Sequence, residues 1–312
     1  MNEIAKRVRV GVIGVGALGS IHARLYSELK DVELIGICDI DPKRLRNLSG
    51  PLKCNSFKNY RELFGLVDAV SIAVPTSLHF KTAREFLLNN INILVEKPIT
   101  TDLSQADELL ELAQRKKLIL QVGHVERFNA AVRVIKYFIK NPRFIECHRL
   151  GPFVNRIKDV GVVLDLMIHD IDIALALVNS KPQGIEAVGV RVLSNFEDIA
   201  NARITFKNGC VCNLTASRVT PEAIRKIRIF EKDTYISLDY ANQSALLYKK
   251  DKQRIITKSI NIKKEEPLRA QLSSFIDCVK NRKRPLVSGK EARDALDIAI
   301  QILDKIKCKG RY

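Results

Sequence analysis

The chain has no apolar run that approaches the roughly 20 residues needed for a membrane-spanning helix. Its first residues, MNEIAKRVRV, also lack the apolar core and the cleavage site of a signal peptide. A hydrophobic content of 46% over 312 residues is typical of a globular protein with about two domains. We therefore expect a cytoplasmic protein that does not associate with membranes.

Cysteine pairs of the CxxC type are absent as well. Of the seven cysteines, the nearest two, Cys210 and Cys212, occupy alternate positions of a predicted strand and so share one face of it. This pattern favours packed, reduced thiols, and no metal site is predicted.

A concentrated basic segment is also lacking, although Lys and Arg exceed Asp and Glu by 52 to 35 and give a net charge of +17. The densest runs, at 249–252 and 282–284, are short and contain no aromatic residues. They do not predict nucleic-acid binding. The excess charge indicates either a solvated basic surface or the attraction of an anionic metabolite.

Three glycines, Gly14, Gly16 and Gly19, directly follow the first apolar run of the chain. In a dinucleotide-binding loop, the first glycine allows a tight turn and the second lets the backbone approach a pyrophosphate. The third lets the next helix pack close to the sheet. Amides at the start of that helix, including those of Ala17 and Leu18, then face the phosphates. The sequence therefore predicts a dinucleotide site.

An acidic residue, Asp39, ends the second apolar run. An acid at this position accepts hydrogen bonds from the ribose hydroxyls and repels a 2′-phosphate, so NAD is predicted over NADP. The neighbouring Arg44 and Arg46 leave NADP open.

Short Val- and Ile-rich strands alternate with helical stretches up to about residue 122, as in parallel βαβ units. Beyond Gly123, strands predominate, apart from a long helix at about 160–178 and two final helices. Asn208 and Gly209 predict a two-residue hairpin turn. The predicted fold is thus α/β: a Rossmann domain over 1–122, then an α+β domain with a largely antiparallel open sheet over 123–312. The strands predicted in the first domain are Val8–Ile13, Val32–Cys38, Ala69–Val74, Ile91–Val95 and Leu118–Val122.

Two segments carry candidate catalytic residues. Lys97, in Glu96-Lys97-Pro98, follows a buried strand and so lies where open α/β sheets bind ligands; the alternative is a solvated loop lysine. In the long helix, Asp165, His169 and Asp172 fall on one face at i, i+4 and i+7. A histidine beside a carboxylate is a candidate proton acceptor. A surface polar network and a metal-binding pair are the alternatives, although no third histidine or cysteine ligand is evident.

The remaining candidates have two interpretations each. For His22, His79 and His124, a packing or loop role is as consistent with the sequence as catalysis. Arg127, just past the last Rossmann strand, either holds an anionic or hydroxylated substrate or ties the two domains together.

Five stretches taken in order, GVIGVGALGS, ICDID, AVPTSLH, VEKP and DLMIHDID, resemble the Gfo/Idh/MocA oxidoreductases, the family of glucose–fructose oxidoreductase and inositol dehydrogenase. The resemblance covers essentially the whole chain and implies an NAD(P) cofactor. It also implies homodimers or homotetramers formed through the open sheet.

The resemblance assigns roles by position. The lysine, aspartate and histidine of the family fall on Lys97, Asp165 and His169. His169 would take the hydroxyl proton, Lys97 would stabilise charge on the substrate oxygen, and Asp165 would position both the sugar and Lys97. Glu96 would orient the nicotinamide, and the other cofactor residues from these motifs would be Pro75 and His79.

Two stretches, GHVERFN and GVVLDLMIHDIDIA, are most similar to members that oxidise C3 of UDP-N-acetylglucosamine in lipid A biosynthesis. This similarity implies NAD-dependent oxidation of a secondary hydroxyl, with Arg127 and Arg156 binding the diphosphate. The family often has several glycines before its aspartate, whereas Asp159-Val160-Gly161-Val162 retains one. An inositol or free-sugar dehydrogenase and a non-catalytic NAD(P)-sensing regulator are the alternatives.

Overall fold

The computed structural model describes residues 7–153 and 160–308, which divide into two compact units. The strands of the first unit are β1 (Val8–Ile13), β2 (Val32–Cys38), β3 (Asn55–Phe57), β4 (Ala69–Ile72), β5 (Asn92–Val95) and β6 (Leu120–Val122). They form one parallel sheet in the order β3-β2-β1-β4-β5-β6. Because the order reverses between β1 and β4, the carboxyl ends of these two strands flank the place where such sheets bind nucleotides.

Local sequence explains most of this unit. Every residue of β4 and β5 is buried, as expected for parallel strands covered on both faces. All five predicted strands are confirmed within three residues at their ends, whereas β3 has only three residues and gave no usable pattern. The helices of this part are α1 (Ala17–Glu28), α2 (Pro42–Leu52), α3 (His79–Leu88) and α4 (Leu103–Lys116). Asp102 caps α4, because its carboxylate accepts from the Ser104 amide at 2.8 Å.

The second unit contains the short helix α5 (Ala130–Ile135), the helix α6 (Ile168–Val178) and one eight-stranded sheet. Its strands are β7 (Phe144–Leu150), β8 (Pro182–Val190), β9 (Ile199–Phe206), β10 (Val211–Ser217), β11 (Ile224–Phe230), β12 (Thr234–Asp239), β13 (Ser244–Asp251) and β14 (Arg254–Ser259). The order is β14-β13-β12-β11-β7-β10-β9-β8, and only the β7–β10 pair is parallel. The predicted largely antiparallel sheet is confirmed. The edge strand β14 was missed, because all six of its residues are exposed and no apolar alternation marks it.

Burial alternates along the central strands, so one sheet face forms a core with α6. Cys210 and Cys212 are buried in this core, and all seven cysteines are free. The opposite face carries a row of partly exposed rings from neighbouring strands. Members of this aromatic row are Phe144, Phe230, Tyr235 and Tyr248, with successive ring centroids 5.6, 4.6 and 4.8 Å apart.

The predicted hairpin joins β9 and β10, but its loop is one residue longer than expected. The Phe206 amide donates to the Cys210 carbonyl at 2.9 Å, which leaves residues 207–209 in the loop. Gly209 has φ +82°, the left-handed conformation that ends a three-residue hairpin loop.

The last two helices, α7 (Pro267–Asn281) and α8 (Gly289–Cys308), correct the predicted domain limits. The first unit comprises the described residues up to Val125 together with 268–293, so the range 123–312 is not one uninterrupted domain. Leu272 and Phe275 of α7 are fully buried in the core of the first sheet, and the Val122 amide donates to the Val287 carbonyl at 3.1 Å. A local apolar pattern shows that α7 buries one face, but not which sheet it packs against.

No helix among the described residues has both the length and the hydropathy needed to cross a membrane.

Candidate active site

The glycine loop connects β1 to α1 and is closely packed. Gly14 has φ +80°, and a Cβ at this position would lie 2.7 Å from the Ala73 carbonyl oxygen. A Cβ on Gly19 would lie 1.8 Å from the Gly14 carbonyl oxygen, so only glycine lets α1 approach this closely. Gly16, the residue before α1, has no such crowding; its nearest neighbour in that direction is Arg44 Nη1 at 3.9 Å.

The N-terminus of α1 suits an anion. Gly16 provides no side-chain cap, and the first turn, which begins with Ala17 and Leu18, contains no acidic residue. The first amides of a helix lack intrahelical partners and attract negative charge. The loop and the helix start therefore fit the pyrophosphate of a dinucleotide.

Asp39 follows β2 and is buried. Its Oδ2 accepts from the Val15 amide at 2.8 Å, and its Oδ1 accepts from the Asp41 amide at 2.9 Å. Arg44 Nη1 lies 3.5 Å from Oδ2. Asp39 thus fixes the glycine loop, and an exposed guanidinium stands beside the carboxylate predicted to select NAD.

Glu96, directly after β5, anchors the segment that carries Lys97. His22 of α1 places Nε2 3.4 Å from Glu96 Oε1 and Nδ1 2.7 Å from the Ser71 hydroxyl oxygen. The Lys97 amide donates to Glu96 Oε2 at 3.3 Å. Burial by itself raises the pKa of Glu96, but the hydrogen bond and charge of His22, with Lys97 and His79, bring the net pKa below its ordinary value.

His79 connects two loops of the same unit. Its Nδ1 lies 2.8 Å from the Pro98 carbonyl oxygen and its Nε2 lies 2.9 Å from the Val74 carbonyl oxygen. A neutral ring donates only one of these bonds, whereas a protonated ring donates both. Burial lowers the pKa of His79, and the carbonyls offset part of that effect. These contacts give His79 a loop-holding role; the cofactor contacts predicted for His79 and Pro75 stay predictions.

The second unit carries Asp165 and His169, but not on the uninterrupted α-helix predicted from Val160. Residues Val163–Met167 form a π-helical turn that runs into α6. The 3.6-residue period used to place Asp165, His169 and Asp172 on one face therefore does not hold through this turn. Single π-turns often occur at functional sites, and no residue pattern marks them in a sequence. Asp165 and Asp172 are buried, whereas His169 is partly exposed.

Two buried arginines anchor α6 within the second unit. Arg127 Nη1 donates to Asp172 Oδ1 at 3.0 Å, with both side chains under a tenth exposed. Asp172 is thus the partner that the structure shows for Arg127. Contact between Arg127 and a substrate anion stays a prediction. Arg156 lies outside the described residues.

The second arginine, Arg149, was missed from the sequence. It donates to Asp170 at 3.0 and 2.9 Å and to Glu126 at 2.9 Å, and lies over the Tyr240 ring. Burial by itself lowers the pKa of Arg149, yet Asp170 and Glu126 raise it well above its ordinary value. Burial also raises the pKa of Asp170, with Arg149 opposing that effect. The available signal was the presence of Asp170 and Asp172 in an otherwise apolar helix, since buried charges need partners.

His124, at the end of the first unit, is buried. Within residues 7–153 and 160–308, no group of three or more His, Cys, Asp and Glu side chains is arranged to hold a metal ion.

A parallel sheet in this order, a glycine loop and an uncapped helix start together define a dinucleotide-binding domain. Residues 8–124 match the family described as "Oxidoreductase family, NAD-binding Rossmann fold", and residues 131–235 match the "GFO/IDH/MocA C-terminal domain". The chain belongs to the Gfo/Idh/MocA family of oxidoreductases.

The relatives include dehydrogenases of two substrate classes. The UDP-N-acetylglucosamine 3-dehydrogenase of Acidithiobacillus ferrooxidans is 35% identical over 302 residues, covering 95% of this chain and 96% of the relative. A solved structure of that enzyme has a TM-score of 0.92 over 97% of this chain and 98% of its own. The scyllo-inositol 2-dehydrogenase (NAD(+)) of Bacillus subtilis is 27% identical, covering 94% of this chain and 92% of the relative.

Proposed function

We propose that this protein is an NAD-dependent dehydrogenase that oxidises C3 of UDP-N-acetylglucosamine or a closely related nucleotide sugar. One observation carries the catalytic assignment: in the stretch 165–172, the carboxylates of Asp165, Asp170 and Asp172 are buried, and His169 is the partly exposed titratable group. A partly exposed imidazole can exchange its proton with solvent after each turnover, and histidine is the side chain most often used for proton transfer in enzymes.

The proposed reaction converts a secondary alcohol to a ketone. When bound, the nicotinamide would supply the acceptor for the hydride, with its electron pair, that leaves the carbon bearing the hydroxyl. His169 takes the hydroxyl proton as the carbonyl double bond forms. The Lys97 ammonium stabilises negative charge on the substrate oxygen during this step. Asp165 positions the sugar. The Glu96 carboxylate accepts a hydrogen bond from the Lys97 backbone amide. Glu96 would also orient the nicotinamide end of the cofactor.

The cofactor is proposed to be NAD, on the basis of Asp39. Its buried carboxylate lies where the adenosine ribose binds in this fold, and a 2′-phosphate there would meet like charge. Arg44 supports the opposite choice, since its guanidinium lies 3.5 Å from the same carboxylate. Arg46 is exposed on the same helix.

The substrate assignment is supported by the similarity to the Acidithiobacillus enzyme over nearly the whole chain. The inositol dehydrogenases, at lower identity, are the second candidate. A panel of UDP-N-acetylglucosamine, free N-acetylglucosamine, myo-inositol and scyllo-inositol, followed by NADH absorbance, tests the choice. We expect UDP-N-acetylglucosamine to react and the free sugar to react far more poorly. Oxidation of an inositol with no reaction of the UDP-sugar would favour the second candidate, and no turnover with any polyol would favour a regulatory role.

We also propose a homodimer or homotetramer formed through the open sheet face. The aromatic row on that face supports this, because four neighbouring and partly exposed rings provide apolar area for an interface. Sedimentation of the wild type should give a dimer or tetramer, and Tyr235→Glu should weaken it. A wild-type monomer at micromolar concentration would contradict the proposal.

A further inference from the structure

Glu197, in the loop between β8 and β9, lies against the start of the helix that carries Asp165 and His169. The Val163 amide donates to Glu197 Oε1 at 3.1 Å, and the Val162 amide donates to the Glu197 carbonyl oxygen at 3.0 Å. The first amides of a helix have no intrahelical acceptors. Glu197, which is only 3% exposed, supplies two acceptor oxygens to these amides, one from its side chain and one from its backbone.

Gly161 provides the space for this carboxylate. A Cβ built on Gly161 would lie 2.1 to 2.3 Å from the carboxyl atoms of Glu197. No side chain fits at this position while Glu197 keeps its place. The single glycine retained in Asp159-Val160-Gly161-Val162 is therefore the one that the buried carboxylate requires.

Arg218 and Asp198 fix the residue at the start of this segment, Val160. Arg218 Nη1 donates to the Val160 carbonyl oxygen at 3.0 Å, and Arg218 Nε donates to Asp198 Oδ1 at 2.8 Å. Asp198 Oδ2 in turn accepts from three consecutive amides of residues 192–194. Residues 160–163, the last of which begins the π-helical turn, are thus fixed at one carbonyl and two amides.

We propose that Glu197 is a positioning residue for the reaction: its carboxylate fixes the first turn of the helix and thereby the direction in which Asp165 and His169 are presented. This inference rests on the proposed function, since it assumes that these two side chains act on the substrate. Burial raises the pKa of Glu197 despite the opposing Val163 amide, so a neutral side chain of the same shape suits the site.

The test compares Glu197→Ala with the isosteric Glu197→Gln, which keeps an oxygen acceptor for the Val163 amide. Small displacements of reacting groups cost up to about 100-fold in rate, so Glu197→Ala should lower kcat on the order of 10- to 100-fold. The KM for NAD should stay within about twofold, because the residues proposed to bind the cofactor belong to the first unit. Glu197→Gln should keep near wild-type kcat, and Glu111→Ala, at an exposed position of α4, is the control.

A double variant tests the steric argument. Gly161→Ala alone should lower kcat, whereas Gly161→Ala combined with Glu197→Ala should be no worse than Glu197→Ala, because the clash has been removed. Gly50→Ala is the control, since a Cβ there meets no atom within 4 Å. Wild-type kcat in Glu197→Ala, equal losses in Ala and Gln variants, or multiplied losses in the double variant would overturn the proposal.

Hydrogen exchange separates this proposal from the proposed function. If the wild type oxidises none of the sugars, the proposed function fails, but the Val163 amide still reports the side-chain contact. We expect faster exchange at the Val163 amide in Glu197→Ala and unchanged exchange in Glu197→Gln, while the Val162 amide keeps its backbone acceptor in both variants. Unchanged Val163 exchange in both variants would refute the positioning role whatever the activity.

Discussion

The two units share one device with different electrostatics. In the first unit, the Glu96 carboxylate fills the place of a Cβ on Gly123, which would lie 2.5 Å from both oxygens. In the second unit, Glu197 does the same at Gly161. Glu96 has an imidazole partner and a lowered pKa, whereas Glu197 has backbone amides as its nearest partners and a raised pKa.

The difference shows what each glutamate is for. The hydrogen bond and charge of His22 help to keep Glu96 ionised, and its carboxylate accepts from the Lys97 amide. Glu197 caps a helix start, and a hydrogen-bond acceptor is sufficient for that. In both cases the missing side chain of a glycine makes room for a buried carboxylate.

The largest effect on kcat should come from His169 and Lys97, the proposed reacting residues whose segments Glu197 and Glu96 contact. His169→Ala should lower kcat roughly 10²–10⁴-fold, as expected for loss of a proton acceptor, while NAD affinity changes little. Lys97→Met should also lower kcat without weakening NAD, with the exposed Lys58→Met as its control. Steady-state kinetics and NADH fluorescence titration measure the two effects. If His169→Ala turns over normally across neutral pH, then Asp165 or a water is the acceptor, and Glu197 has a different purpose.

Cofactor choice should depend on the first unit alone. NAD should bind on the order of 100-fold more tightly than NADP, because a 2′-phosphate beside Asp39 meets like charge. Asp39→Ser should reduce that preference and let Arg44 pair with the phosphate. Calorimetric titration of both cofactors tests this, and tighter binding of NADP by the wild type would overturn the assignment.

A smaller effect concerns the glycine of the first unit. Gly123→Ala should destabilise the fold by about 1–3 kcal/mol, because the added carbon overlaps the Glu96 carboxylate. Gly123→Ala with Glu96→Ala should lose less than the sum of the two single changes. Urea unfolding provides the free energies, with Gly50→Ala as the control. Strict additivity would show that the overlap does not decide the identity of residue 123.

The smallest effect is a difference in pH dependence between the two glutamates. The folded pKa of Glu96 is lowered, so its contribution to stability is present above the unfolded pKa of about 4.3 and disappears as pH falls through the folded pKa. The folded pKa of Glu197 is raised, so its contribution is present below the unfolded pKa and is lost as pH rises through the folded pKa.

Urea unfolding at several pH values measures this difference. The loss of stability in Glu96→Gln should be larger at neutral than at acid pH, and the reverse should hold for Glu197→Gln. The same trend in both variants would remove the distinction between the two sites.

Local sequence predicted those parts of the fold that depend on neighbours along the chain. The run Val8–Ile13 and the glycine loop depend only on nearby residues, and the structure confirms them. The return of α7 to the first sheet depends on a partner more than a hundred residues away, so its apolar stripe alone did not place it.

The candidate site shows the same limit. Lys97 and His169 lie in recognisable motifs, but no residue pattern marks the π-helical turn, and the Arg149–Asp170 pair requires knowing that β7 lies beside α6. Glu197 gave no signal either, because its role requires knowing which glycine it faces.

The central claim is that hydride leaves C3 of a UDP-amino sugar for NAD, and isotope transfer tests it most directly. UDP-N-acetylglucosamine carrying deuterium at C3 should yield deuterated NADH by mass spectrometry, whereas substrate labelled at C4 should yield unlabelled NADH. Label arriving from C4, or unlabelled NADH from the C3-deuterated sugar, would contradict the account.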